Sequence, residues 1–212
     1  MTNPVRTFAR VALWALPVWS ALLFLGTLTH QPDAQTDFAG FAAYVTTTQF
    51  LLSHLFASIL GAAIGSIGVI GLMLYLQDTR AAGKAITGMV ATVLGNTITT
   101  AIFGIAAFTQ PAMGRMFQAG QTNALDFYNL VYGGPLFGTA VVGLLSFMLG
   151  GVFTGIAIIA SGRLPRWAGW VYAITVPLFA LSNFLLPVAQ SITSALLFIA
   201  TVAIAWSARR QD

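Results

Sequence analysis

The chain has 212 residues, 58% hydrophobic and only 7% charged, and its mean hydropathy is +0.85. Soluble domains carry roughly 25% charged residues, so this composition excludes an ordinary cytosolic enzyme, a disordered chain and a disulfide-rich secreted module, and marks an integral membrane protein. There is no Cys, which removes disulfides, thiolate metal sites and cysteine nucleophiles. There is no Glu; the acids are Asp33, Asp37, Asp78, Asp126 and Asp212, and the histidines are His30 and His54.

A bilayer core of about 30 Å needs about 20 helical residues. Six segments meet that length, at about 9–29, 49–76, 85–109, 135–160, 167–186 and 188–208, which predicts a single all-α domain, a polytopic membrane bundle. The first follows Arg6 and Arg10, but its apolar run is long and no clear small-x-small cleavage site follows, so it reads as a retained helix. Pro17 and Pro177 are expected to bend the first and fifth helices. The last two segments would form one helix of about 60 Å if unbroken, twice the core thickness, so a tight re-entry is expected near Pro187 to Ser191. The segments 30–48 and 110–134 become the two longer, external connections.

With six spans, Arg6, Arg10, Arg80, Lys84, Arg163, Arg166, Arg209 and Arg210 fall on one side and Arg115 on the other. That asymmetry predicts both termini in the cytoplasm. It explains the net charge of +4 through topology and attraction to anionic lipid heads, rather than through nucleic acid.

Small residues in steps of three or four mark faces for close helix approach. They are Gly61, Gly65 and Gly68 in the second helix, Gly88, Thr92 and Gly95 in the third, and Gly143, Ser146 and Gly150 in the fourth, with Gly151 and Gly155 beside them. Helices two, three and four are therefore expected at the packed centre. The equal separations of Gly68 to Arg80 and Gly151 to Arg163 form a weak internal echo. Trp14, Trp19, Trp167, Trp170, Tyr172 and Trp206 read as interfacial anchors and lipid-facing bulk.

Candidate chemistry is sparse. His54 shares a stripe with Gly61 and Gly65, so it is expected to face the bundle, where it could relay protons, bind a ligand, or rest as a neutral imidazole. Ser53 beside it is no dyad partner, since adjacent helical residues point to different faces. Asn96 at mid-helix and Asn183 in the fifth helix are expected to pair between helices or line a site, because an unpaired amide in hydrocarbon is costly. Arg115, Asp126, Tyr128 and Tyr132 mark an amphipathic external segment, a cap or docking surface in which Arg115 and Asp126 could pair. No metal or cofactor is expected: one intramembrane His without Cys or Glu completes no usual zinc site, and haem lacks a second ligand.

Two stretches, Tyr132-Gly133-Gly134-Pro135-Leu136-Phe137-Gly138 and the turn from Ser161 to Trp170 containing Leu164-Pro165-Arg166-Trp167, resemble parts of uncharacterised small multi-pass membrane proteins of bacteria. The resemblance implies a bacterial inner membrane and a six-helix bundle, and carries no catalytic residue. The expected function is a non-catalytic accessory, scaffold or subunit that binds lipid, a protein partner or a second copy of itself; a small transporter or channel is the alternative. An intramembrane enzyme is disfavoured because no Ser-His, paired-Asp or His-rich constellation falls within the spans.

Overall fold

The structure is a computed structural model that describes residues 4–185 and 187–210, without the side chains of 183–187. Among the described residues it is all-helical. The first helix is broken in two, α1 (Pro4–Ala12) and α2 (Ala15–Gly26). The break has a local cause. Pro17 has no N–H to offer the Leu13 carbonyl, which accepts instead from the Leu16 N–H at 3.2 Å in a tighter turn.

After α2 comes a connection containing α3 (Phe38–Val45), capped by Asp37, whose carboxylate accepts from the Gly40 N–H. The second long helix opens with α4 (Thr48–Leu52), widens into a π-helical segment (Ser53–Leu60) and continues as α5 (Gly61–Leu76). α6 (Ala82–Gln118) follows, then α7 (Ala124–Val131), α8 (Gly134–Ser161), α9 (Arg166–Leu185) and α10 (Pro187–Arg209). α8 ends on Gly162, whose φ of 68° is the left-handed terminator that favours glycine. Among the described residues, five helical segments are long and apolar enough to cross a membrane: 4–26, 48–76, 82–118, 134–161 and 188–209. α9, with Pro177 inside it, is a 20-residue helix packed between α8 and α10.

The long helices form a closed ring. α2 packs on α5, α5 on α6, α6 on α8, α8 on α9, α9 on α10, and α10 returns to α2. Neighbours run antiparallel, as the opposed glycines and side chains show. Gly65 meets Trp19 and Gly68 meets Leu16 across α5 and α2; Gly88 meets Thr154 and Gly150 meets Thr92 across α6 and α8.

Three expectations are corrected here. Helices two, three and four do not make the centre, because the α5 glycines Gly61, Gly65 and Gly68 face Leu22, Trp19 and Leu16 of the first helix. Trp19 and Tyr172 are not lipid-facing bulk. They are 2% and 1% exposed, with ring centroids 6.4 Å apart, and Phe147 stands 6.1 Å from Trp19. Glycine at Gly65 leaves room for the Trp19 indole, since a Cβ there would lie 2.9 Å from it. These rings, with Leu16, Leu72, Leu197 and Ile204, form part of one buried core cluster. Finally, the connection expected from residue 110 begins later, because α6 continues through Pro111 to Gln118.

α8 has two working faces. Gly143 and Gly150 lie against Ile98, Thr99 and Thr92 of α6, while Gly151 and Gly155 lie against Val176 and Ala173 of α9. On the α6 side the approach is close enough that a Cβ at Gly95 would come within 2.7 Å of the Phe147 Cα. The Thr92 hydroxyl, pressed against Gly150, has no hydrogen-bond partner among the described residues.

Candidate functional site

His54 sits in the second turn of its helix, at the start of the π-helical segment. Such segments are rare and tend to occur at functional positions. Its Nδ1 lies 3.0 Å from the Phe50 carbonyl and 3.5 Å from the Ser53 hydroxyl. The ring lies 4.1 Å from Phe50 and 6.3 Å from Phe103, centroid to centroid. The imidazole is half-buried among aromatic rings, away from the core cluster around Trp19. The extension from i→i+4 to i→i+5 bonding turns this part of the helix relative to the glycine stripe below it.

Asn96 is buried on α6. Its side-chain N–H₂ donates to the Ala62 carbonyl at 3.0 Å and to the Ser66 hydroxyl at 3.1 Å, tying α6 to α5. Eight residues separate His54 from Ala62, about 12 Å along a helix, and no contact brings the His54 and Asn96 side chains together. Asn183, the third expected member, lies in α9, and its side chain is outside what is described. Two further polar ties join α2 to α10: the Ser20 and Thr201 hydroxyls at 2.8 Å, and Ser191 donating to Thr27 at 2.9 Å.

The segment expected to act as a cap is built from the tail of α6, α7 and the α2–α3 connection. Gln31 donates to Gln110 at 3.2 Å, and Gln110 donates to the Tyr132 hydroxyl at 2.7 Å. Gln118 donates to Thr46 and the Ala42 carbonyl, and Gln35 to Asn129. Tyr132 and Tyr128 stack at 4.5 Å, and Tyr128 meets Phe41 edge-on at 5.4 Å. Phe41, Val45, Phe50 and Ala34 form a second, smaller core cluster beneath. Burial raises the Tyr128 hydroxyl above its ordinary pKa, with Asp33 adding to the shift. Tyr132 is pushed up to about 12 by burial, which outweighs the opposing hydrogen bond to Gln110. Arg115 and Asp126 do not join this network. Both are exposed and no ion pair links them.

Sequence reasoning missed a convergence at the opposite end. Arg6 and Arg10 of α1, Asp78 after α5, and Arg163 in the α8–α9 turn line one cleft of about 230 Å³, together with Ala9, Leu74 and Tyr75. Arg6 pairs with Asp78 at 3.4 Å, and Arg163 donates to the Tyr75 carbonyl at 3.3 Å. From the neighbouring turn, Arg80 donates to the Ala160 carbonyl at 2.9 Å. The placement of the charges on one side held the signal, and i, i+4 spacing puts Arg6 and Arg10 on one face. What it lacked was knowledge of which turns meet. Among the described residues, no group of three or more His, Asp or Glu is placed to hold a metal ion. In comparisons with protein-family models, curated proteins and solved structures, nothing matches this chain.

Proposed function

We propose that the chain is a six-span protein of the bacterial cytoplasmic membrane, with both termini inside, that serves as a non-catalytic scaffold binding lipid and a partner within the bilayer. The observation that carries this reading is the filled centre of the helix ring. Trp19, Phe147 and Tyr172 meet where a conduit through a single chain would have to run. The polar groups deep in the bundle work in the same direction. Asn96, Ser20 and Thr201 bond to neighbouring helices, where such contacts hold membrane helices together. Apolar side chains cover the outward faces, among them Val142, Leu145 and Leu149 on α8.

The test is extraction of the full chain from native membranes in mild detergent, followed by size-exclusion chromatography and mass analysis. The expected result is a species larger than one chain, carrying lipid and a defined protein partner or a second copy. A bare monomer would overturn the scaffold reading.

The π-helical segment bearing His54 supports transport as a second reading. Reconstituted vesicles whose solute flux falls on His54→Ala and Asn96→Ala would favour it; flux that is absent or unchanged would remove it.

A further inference from the structure

We infer that Nε2 of His54 accepts a hydrogen bond from a hydroxylated aromatic molecule dissolved in the bilayer, a phenol or hydroquinone. The inference shares its site with the transport reading and rests on it for the placement of His54 within a span; it requires neither solute flux nor a protein partner. The two ring nitrogens have different roles. Nδ1 lies 3.0 Å from the Phe50 carbonyl, which can only accept, so Nδ1 carries the proton. In the neutral ring Nε2 is then a bare acceptor. It makes no hydrogen bond among the described residues. Nor is it sealed in, because among those residues Thr92 Oγ1 alone is both buried and unpaired. An unpaired acceptor in apolar surroundings is unfavourable, so a donor that reaches it is held.

The surroundings select the donor. His54 lies six residues past Thr48, where the segment 48–76 begins, or about 9 Å along the helix. Water is scarce at that depth of a bilayer, so the partner must itself dissolve in lipid. A cation would need further ligands, and no group of three or more His, Asp or Glu placed to supply them stands among the described residues. An anion or a quinone carbonyl brings only acceptors, which a bare nitrogen does not bind. The donor that remains is a hydroxyl. The walls beside it are aromatic: Phe50 stands 4.1 Å and Phe103 6.3 Å from the imidazole, centroid to centroid, and Phe103 is 36% exposed. Stacked and edge-on ring contacts favour a flat aromatic molecule over an alkyl alcohol. The π-helical segment that begins at Ser53 carries the imidazole, as such segments often carry functional groups.

The test uses the full-length chain in lipid nanodiscs, with its two histidines isotope-labelled at nitrogen. It is titrated with a decyl-substituted hydroquinone, the dimethyl ether of that hydroquinone and the matching quinone. Saturation transfer to the ligand ring gives the affinities, and nitrogen chemical shifts report the imidazoles. The His54 Nε2 resonance should move toward that of a hydrogen-bonded acceptor as hydroquinone is added, while the His30 resonances stay in place. The hydroquinone should bind about tenfold tighter than the ether or the quinone, the factor that one hydrogen bond of ordinary net strength supplies. His54→Phe keeps an aromatic ring without the acceptor and should abolish that preference; His30→Phe should leave it intact. If His54→Phe fails to fold, the nitrogen shift in the unaltered chain decides. An unmoved Nε2 at saturation, equal affinity for the ether or the quinone, or a folded His54→Phe chain that keeps the preference would each overturn the inference. Bound hydroquinone with no solute flux in vesicles removes the transport reading and leaves this one standing, and flux without hydroquinone binding does the reverse.

Discussion

The two ends of the bundle are held together by different chemistry. At the basic end the connections are short, and arginines reach across them to the carbonyls that helix C-termini leave unpaired, Arg80 to Ala160 and Arg163 to Tyr75. At the cap end the connections are long, carry α3 and α7, and are joined by neutral amides and stacked rings around Phe41 and Tyr128. Short turns leave no room for a core, so the basic end depends on directed polar ties. The long connections bury apolar surface and make a small core of their own. The cap end should therefore fail locally, as a unit, whereas damage to the shared helix contacts should reach both ends.

The largest effect expected to separate the ends is Phe41→Ala. Truncating a fully buried Phe costs about 3–5 kcal/mol, and Phe41 is 0% exposed. Hydrogen exchange should rise across 31–47 and 119–133 while the 77–81 turn keeps its protection; a uniform rise would break the distinction. Gly150→Leu should act next, at about 1–3 kcal/mol for overpacking. Its side chain would meet Thr92 where α6 and α8 touch most closely, so both ends should lose protection together.

Asn96→Leu removes one interhelical tie and should lower resistance to unfolding by about 0.6–1.7 kcal/mol. Its effect should fall on α5 and α6 with little change in the cap, as cysteine accessibility along those helices can report.

The subtlest test is pH. Tyr132 is held neutral by burial, with its pKa raised from 10.0 to about 12. A raised tyrosine pKa favours the folded cap fully below about pH 10, and the contribution fades as pH rises toward 12. Tyrosinate absorbance should show a late-titrating group that is missing in Tyr132→Phe, and proteolysis of the 119–133 segment should increase over the same range.

Much of the architecture is legible in the sequence because membrane helices need long apolar runs, and this chain has few interruptions. The start of α8 at Gly134 and its end at Ser161 follow directly from Pro135 and Gly162. Periodicity located the small-residue faces but could not assign their neighbours. Gly61, Gly65 and Gly68 look the same whether they receive the first helix or the third, and only the Trp19 indole lodged over Gly65 decides. Trp19 itself misleads, since its position near the middle of an apolar run suits lipid and core equally. Pro111 reads as a boundary, yet α6 passes through it, where Gln110 and Gly114 on either side make tertiary contacts with Tyr132 and with Ala42, Val45 and Thr46 of the cap. The candidate residues were legible as types, and their partners were not. Asn96 announces a hydrogen bond without naming Ala62, and Arg163 gives no hint of Tyr75.

The crossed arginines have a consequence for how the protein is made. Arg80 leaves the ribosome about 80 residues before the Ala160 carbonyl that it binds, and Arg163 closes onto Tyr75 only afterwards. At synthesis rates of about 5–20 residues per second, the first hairpin waits for several seconds with its turn unfinished. The second hairpin then completes both turns in one event, because each supplies what the other lacks. Assembly of that end is thereby tied to completion of α8 and the turn after it, and a chain halted before Ala160 has neither clasp closed.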